Sequence, residues 1–462
     1  MCEFDYDVVV LGGGPGGYVA AIRCAQYGKK TALVEAREIG GTCLNRGCIP
    51  TKALIHSAET YQNAKNAESC GINCSDVSYD YAKIAEYKDK VVGKLRHGIE
   101  GLEKAHGVNV ISGFGKLVDA HTLDVDGEKV TFDNLILATG SAPAHPPIPG
   151  IDGENIFTSD DILAMTELPE SFVIIGGGVI GIEFASVFSA LGKPVTIIEM
   201  MPSILPGVDA DIVRLVTRVL KKKKVKIINN AKVTKINGGE SVQVEYEFNG
   251  AEKTAEGACC VVSVGRRAMT RDIGLENVGI EMNRAFVNID EHCRTNVENI
   301  YAIGDITGKI QLAHVASAQG TVAAANINGK PEIMDYSVIP SCIYTSPEVA
   351  FVGLSEDKAK AQGIEYKTGL FNVAGNGRTM IMGVNVGLMK LIAAPDGKLL
   401  GAQLMSPNAT DMISEISMVL KLGGTIEDIA STVHPHPTVS EVVMEAAHDF
   451  DGLCCHSLPK KQ

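Results

Sequence analysis

Asp5-Tyr-Asp-Val-Val-Val-Leu11 runs straight into Gly12-Gly13-Gly14-Pro15-Gly16-Gly17, and the same construction returns at Phe172-Val-Ile-Ile175 and Gly176-Gly177-Gly178-Val179-Ile180-Gly181. Each time a short apolar run of strand character meets Gly-x-Gly-x-x-Gly and then a helix-like stretch, reaching Tyr27 in the first copy and Leu191 in the second. A second strand-like run follows, Thr31 to Val34 or Val195 to Ile198, and ends on an acid, Glu35 or Glu199. That acid stands 23 positions after the first glycine in both copies. Each part has a physical task. The first glycine makes the tight turn, the second lets backbone N–H groups approach a pyrophosphate, and the third lets the helix pack on the strand. The acid accepts from a ribose hydroxyl, and the helix N-terminus offers positive potential to the phosphates. One hexapeptide alone is a weak signal. Two, with matched strands and equal spacing, predict two dinucleotide sites.

The duplication extends further. After each acid comes a β-rich stretch with tight-turn signals: Asp126-Gly127 in the first copy, Asn237-Gly238 and Asn249-Gly250 in the second. Each copy closes on an apolar strand ending in glycine, Leu135-Ile-Leu-Ala-Thr-Gly140 and Cys260-Val-Val-Ser-Val-Gly265. From acid to closing glycine takes 105 residues in the first copy and 66 in the second, so the first carries an insertion of 39, placed between Gly40 and about Gly101. Glu199 is followed by Met200 and Met201, with no arginine nearby to receive a 2′-phosphate, so the second site is expected to prefer NAD to NADP.

Composition narrows the class. A chain of 462 residues needs three or four domains. Its 45% apolar content, 49 glycines and lack of tryptophan fit a soluble α/β protein. The net charge of −13 argues against nucleic acid as a partner. The one basic run, Lys221 to Lys224 plus Lys226, follows the apolar-periodic Ile212, Leu215, Val216, Val219 and Leu220 and reads as a solvated helix end. No apolar run is long enough to span a bilayer, and the acidic start Met1-Cys-Glu-Phe-Asp lacks the basic region of a signal peptide, so a cytoplasmic protein is expected. Twelve cysteines in such a chain do not suggest a structural disulfide framework.

The insertion opens Gly40-Gly41-Thr42-Cys43-Leu44-Asn45-Arg46-Gly47-Cys48-Ile49-Pro50-Thr51-Lys52. Its two cysteines admit four readings: structural thiols, half a zinc site, a redox disulfide, or chance. Zinc generally wants a Cys-x-x-Cys knuckle and a second ligand pair, which the adjoining segments do not supply. Residues five apart in a regular helix rise about 7.5 Å, beyond the ~7 Å Cα limit for a disulfide. If the two sulfurs bond, the stretch must bend, as Gly47 and Pro50 would permit. Pro50 suits the first turn of a helix, and a thiol at a helix start has its pKa lowered by the positive end.

The same segment resembles the signature of the pyridine nucleotide–disulfide oxidoreductases, and its Leu-Asn-Arg/Ile-Pro-Thr-Lys spelling resembles the dihydrolipoyl dehydrogenase branch. The resemblance covers essentially the whole chain in order, continuing at Val264-Gly265-Arg266-Arg267, Tyr301-Ala-Ile-Gly-Asp305-Ile, Leu312-Ala313-His314 and His434-Pro435-His436-Pro437-Thr438-Val439-Ser440-Glu441. It implies that Cys43 and Cys48 form a redox disulfide, with Cys48 nearest the flavin and Cys43 open to the substrate dithiol. It assigns an FAD site to Gly12, Gly14, Gly17, Glu35, Lys52, Gly115, Thr139, Gly140, Asp305 and Ala313, with Lys52 paired to Glu183. It assigns an NAD site to Gly176, Gly178, Gly181, Glu199, Val233 and Gly265.

His434-Pro435-His436-Pro437 is a stiff segment with a carboxylate following. Dithiol oxidation needs a general base, and imidazole with a carboxylate on its other nitrogen suits the task. The resemblance assigns the base to His436 and the orienting carboxylate to Glu441, with His434 the lesser candidate, and implies that the histidine acts across a homodimer. The expected architecture is α/β: two Rossmann-like dinucleotide-binding domains plus a C-terminal α+β dimerisation domain. The expected divisions are 1–148 (FAD), 149–268 (NAD), 269–336 (returning to the FAD domain) and 337–462 (interface). Lipoyl-bearing proteins of 2-oxoacid dehydrogenase or glycine cleavage complexes are the implied partners. Two alternatives stand beside this: a mercuric or other disulfide reductase using Cys454-Cys455, and a mainly structural flavoprotein of a complex. The adjacent pair Cys259-Cys260 reads as strand core.

Overall fold

The computed structural model describes residues 4–458, so the first three residues of the acidic start and Pro459–Gln462 of the tail lie outside it. Val8, Val9 and Val10 of the strand Tyr6–Leu11 are fully buried, as are Ala32, Leu33 and Val34 of the neighbouring strand Thr31–Glu35. Unbroken apolar runs of this kind fit strands covered on both faces, the situation of a parallel sheet. Burying one such side chain contributes about 1.5–3 kcal/mol.

The first sheet orders Asn109–Ser112, Thr31–Glu35, Tyr6–Leu11 and Glu128–Leu137 in parallel, and Ile300–Ala302 joins the far side of Glu128–Leu137. The second orders Lys226–Ile228, Val195–Ile198, Phe172–Ile175, Cys259–Val262 and Ile156–Thr158, again all parallel. The two glycine-loop copies are therefore one topology built twice, each loop leaving the central strand towards a helix, Pro15–Gln26 or Val179–Ala190. The third sheet is antiparallel, Ser341–Ile343, Glu348–Gly353, Leu399–Ser406, Leu388–Ala393 and Lys367–Asn372, and the helices Ala409–Lys421 and Glu441–Phe450 share its core. The α/β architecture with a C-terminal α+β unit is as the sequence led us to expect.

Between Glu35 and Asn109 the first copy holds three α-helices, Gly41–Arg46, Cys48–Lys65 and Tyr81–Ala105, and a short 3-10 turn at Ala67–Cys70, where the second has only Ala210–Lys222. Asp126-Gly127 and Asn249-Gly250 are two-residue hairpins in left-handed conformation, with φ of 50° and 96° in the first and 54° and 74° in the second. Asn237-Gly238 is different. Asn237 ends its strand and the chain returns only at Val242, because Gly238 packs so tightly on the Glu154 backbone that a Cβ there would lie 2.6 Å from its carbonyl oxygen. The basic run also needs one correction. Lys221, Lys222, Lys224 and Lys226 are exposed, but Lys223 turns inward near Glu59, where burial lowers its pKa. Cys259 and Cys260 are buried in their strand. No helix of the described residues is long and apolar enough to cross a membrane.

The second copy is fastened to the antiparallel unit by a buried cation. Lys390 places its ammonium 2.8 Å from Asp209, 2.5 Å from Asp211 and 2.6 Å from Glu356, with its side chain 1% exposed. Charges so buried are tolerated because they are paired and hydrogen-bonded.

Candidate active site

Both glycine loops open into one continuous cavity of about 1440 Å³. A single drug-sized ligand occupies a pocket of about 300–1,000 Å³, so the space exceeds what one ligand of that size needs. Its fit to two dinucleotides can be tested at the glycines. At Gly14 and at Gly178 an added Cβ would meet no protein atom within 4 Å and would project into the cavity. The space kept free is where a pyrophosphate must approach the backbone.

The two acids do the same local work. Glu35 accepts from the Gly13 N–H at 2.6 Å and the Arg37 N–H at 2.8 Å; Glu199 accepts from the Gly177 N–H at 2.5 Å and the Met201 N–H at 2.7 Å. Each carboxylate ties its own loop to the end of the second strand and still lines the cavity. Gly12, Gly17, Gly115, Thr139, Gly140, Asp305 and Ala313 line the first half, and Gly176, Val233 and Gly265 the second. Gly181 does not line it. A Cβ there would sit 2.2 Å from the Gly176 carbonyl oxygen, so its task is close helix–strand packing rather than contact with a ligand.

The helix Gly41–Arg46 ends at Gly47, and Cys48 begins the next helix, Cys48–Lys65. This break supplies the bend that two sulfurs five residues apart require, and a Cβ on Gly47 would press to 3.0 Å from the Thr42 carbonyl oxygen. Both sulfurs line the cavity and are within hydrogen-bonding reach of each other in the dithiol form. The Cys43 thiol donates to Cys48, which together with the nearby Lys52 ammonium holds Cys48 down at about 7 against the opposing effect of burial. The same hydrogen bond, and burial, push Cys43 up. One proton is thus shared unequally, with the thiolate favoured at Cys48 and the thiol at Cys43.

Lys52, one helical turn beyond Cys48, is paired with Glu183 through both carboxylate oxygens at 3.0 and 2.9 Å. Three features of this neighbourhood carried no readable sequence signal. Tyr344, from the antiparallel unit, lays its ring 4.5 Å from the Lys52 ammonium and donates its backbone N–H to Glu183 at 3.0 Å. Ser141 donates its hydroxyl to Asp305 at 2.5 Å and accepts from Arg266 at 2.7 Å, so a residue beside the first closing glycine is locked to one beside the second. Arg46 pairs with Glu38 at 2.5 Å and anchors the short helix between the sulfurs. Arg46, Arg266 and Asp305 stood inside recognisable motifs; their partners Glu38, Ser141 and the ring of Tyr344 did not.

His436 and Glu441 lie elsewhere. His436 donates from Nδ1 to Glu441 at 2.8 Å, its side chain is 78% exposed, and neither residue lines the cavity of its own chain. His434 is occupied differently: its Nε2 is 2.8 Å from Glu415, its side chain is 4% exposed, and the Glu415 carboxylate raises its pKa. Of the two, His436 is the one that offers a free, outward-facing imidazole nitrogen. The tail pair is also away from the cavity. Cys454 contacts Glu445 at 2.9 Å and Ser457 at 3.2 Å, while Cys455 is exposed.

Residues 6–320 match the family model described as pyridine nucleotide-disulphide oxidoreductase, and residues 339–447 match that family's dimerisation domain. Over 464 residues the chain is 43% identical to a dihydrolipoyl dehydrogenase of Geobacillus stearothermophilus, covering 99% of this chain and 98% of that one. It is 44% identical to one of Bacillus subtilis, over 98% of both. Among solved structures, LpdA from Mycobacterium tuberculosis superposes with a TM-score of 0.89 at 27% identity, over 96% of this chain and 98% of that chain. With both loops, the paired sulfurs and the dimerisation unit in the order the family requires, the chain belongs to the pyridine nucleotide–disulphide oxidoreductases.

Proposed function

We propose that this enzyme is a dihydrolipoyl dehydrogenase, oxidising protein-bound dihydrolipoamide to lipoamide and reducing NAD⁺ to NADH. FAD and NAD(H) are its cofactors. The observation that carries the reading is the placement of Cys43 and Cys48 across a helix break, inside the cavity that both glycine loops share. We assign residues 1–148 and 269–336 to the FAD domain, 149–268 to the NAD domain and 337–462 to the interface of a homodimer. The FAD site would use Gly12, Gly14, Glu35, Lys52, Gly115, Thr139, Gly140, Asp305 and Ala313. The NAD site would use Gly176, Gly178, Glu199, Val233 and Gly265, with Gly17 and Gly181 shaping their loops. Bound FAD supplies a carrier that accepts an electron pair from the dithiol and passes it as hydride to NAD⁺.

The chain's own residues do the rest. His436 of the partner subunit takes the proton from one dihydrolipoamide thiol, its other nitrogen held by Glu441. The resulting thiolate attacks the Cys43 sulfur, the Cys43–Cys48 bond breaks, and Cys48 leaves as a thiolate stabilised by Lys52 and the helix start. The second lipoyl thiol then displaces Cys43, closing the lipoyl ring and leaving the protein as the dithiol. Exposure of His436 in a single chain supports its service to a second copy, since it has no role in its own cavity. The acidic surface implied by a net charge of −13 suits a basic binding domain on a lipoyl-bearing complex in the cytoplasm.

Turnover tests the reading. The purified protein should oxidise dihydrolipoamide with NAD⁺ in preference to reducing glutathione disulfide or Hg(II), and Cys48→Ser should abolish it. Loss of activity in Cys454→Ser, with Hg(II) as the better substrate, would overturn the assignment. His436→Gln should cripple dithiol oxidation far more than NADH-driven reduction of artificial acceptors; equal losses would remove its role as base.

A further inference from the structure

The cavity side of Cys48 is not built by the two dinucleotide-binding units alone. Tyr344 follows the strand Ser341–Ile343 of the antiparallel unit and reaches the same ammonium whose charge acts on the Cys48 sulfur. Three contacts converge there. The Lys52 ammonium is bound by Glu183 at 2.9 Å, it sits 4.5 Å from the centre of the Tyr344 ring, and Glu183 is itself held by the Tyr344 backbone N–H at 3.0 Å. Glu183 is nearly buried, with a side chain 5% exposed, whereas Lys52 is 29% exposed and would otherwise have room to swing. An aromatic face attracts an ammonium through its quadrupole, most strongly where water is thin. The phenol lies against Thr410, whose backbone N–H and hydroxyl are both taken by Glu348 at 2.9 and 2.8 Å, so the ring is braced from the antiparallel unit.

We infer that Tyr344 is a positioning residue for the redox centre: its ring pins the Lys52 ammonium one helical turn from Cys48, so the interface unit of the same chain sets the electrostatic environment of the flavin-side sulfur. This rests on the assignment of Cys48 given above. The charged and titratable groups acting on Cys48 are Cys43, Lys52 and Glu183. Those around Tyr344 are Cys342, Glu348 and Glu183. Glu183 belongs to both sets, and the Lys52 ammonium that it binds acts on Cys48 and sits against the Tyr344 ring. A ring that holds it less firmly lets the ammonium move to solvent, and the thiolate loses its nearest positive charge.

The experiment keeps shape constant and changes only the ring's electrons. In holoenzyme carrying Cys43→Ser, position 344 is replaced by phenylalanine and by its mono-, di- and trifluoro derivatives, and the pH dependence of Cys48 alkylation is followed by mass spectrometry. Phenylalanine loses the phenol's contact with Thr410 but keeps the ring face, and its midpoint is the reference for the series. Successive fluorines should raise it, by about half a unit to one unit for the trifluoro ring. With Lys52→Met in the same protein the rise should vanish. A midpoint unchanged across the fluorine series overturns the inference, and so does an equal rise without Lys52. Alkylation reads the sulfur and not turnover, so failure here is distinguishable from failure of the parent enzyme to oxidise dihydrolipoamide.

Discussion

The two glycine loops share one construction and differ in what surrounds them. In both, a glutamate at the end of the second strand clamps the loop through two backbone N–H groups at 2.5–2.8 Å. Their helices are used differently. Gly16 in the first copy lets the helix Ala313–Ile327 come so close that a Cβ would lie 2.9 Å from the Ala316 carbonyl oxygen, and Gly320 allows the same close approach from the other side, against Gly16. The second copy has Ile180 at the matching position, and its helix Val179–Ala190 packs instead in the core that includes Leu54, Ile55 and Ala58 of the disulfide helix. The helix starts at Pro15 and Ala313, packed on each other through Gly16 and Gly320, both face the first half of the cavity, whereas the glycine-loop helix of the second half has no such companion packed on its start. A loop motif settles that a pyrophosphate can bind; what packs on its helix settles which half also holds the sulfur chemistry.

Exchanging the matched residues should break this contrast. Gly16→Ile forces a branched side chain against backbone at Ala316 and should cost about 3 kcal/mol or more, seen as a lowered Tm and protein purified without flavin. Ile180→Gly should cost about 2 kcal/mol through helix propensity and lost burial, yet keep its flavin. Equal flavin loss in both would show that the two helices are not specialised.

The clamping acids offer a sharper test. Charge-assisted hydrogen bonds contribute about 1.5–3 kcal/mol each. Glu199→Gln should raise the KM for NAD⁺ about tenfold and narrow the preference over NADP⁺, by removing the charge that repels a 2′-phosphate. Glu35→Gln should weaken flavin retention and leave that KM near its original value. If both substitutions acted on the same cofactor, the division of the cavity would be wrong.

The smallest effect separates the sulfurs themselves. A cysteine in the unfolded chain titrates near 8.5, while Cys48 is held at about 7, so in the dithiol form its contribution is present above the unfolded value and lost as pH falls through 7. Cys43 acts in the opposite sense. Its raised pKa makes the folded state resist ionisation, so stability falls as pH rises above about 8.5. The dithiol enzyme should therefore be most stable near pH 8, by about 1 kcal/mol relative to pH 6, and Cys48→Ser should flatten the acid side of that profile. A profile identical in wild type and Cys48→Ser would contradict the unequal sharing of the proton.

Much of this was legible in the chain. Apolar runs meeting glycine loops, an acid at fixed spacing and the 39-residue difference between copies specify local backbone geometry, and local geometry is what short-range sequence encodes. The bend between the sulfurs was equally readable, because a helix cannot bring residues five apart within bonding distance and Gly47 was there to interrupt it. Gly181 packs helix on strand as the third glycine of its loop should, whereas Asn237-Gly238 is not the tight turn its sequence suggested, because a glycine kept for close packing looks the same in sequence as one kept for a turn. What only the tertiary structure decided is everything joined across long stretches of chain. Tyr344 meets Glu183 across 161 positions, Ser141 meets Asp305 across 164, and Lys390 meets Asp209 across 181. None of these pairs has a periodicity or a spacing to betray it; they exist because three sheets are packed together, the first two pairs at the cavity and the third away from it, and a cation or hydroxyl buried between units must be shared to remain satisfied away from water.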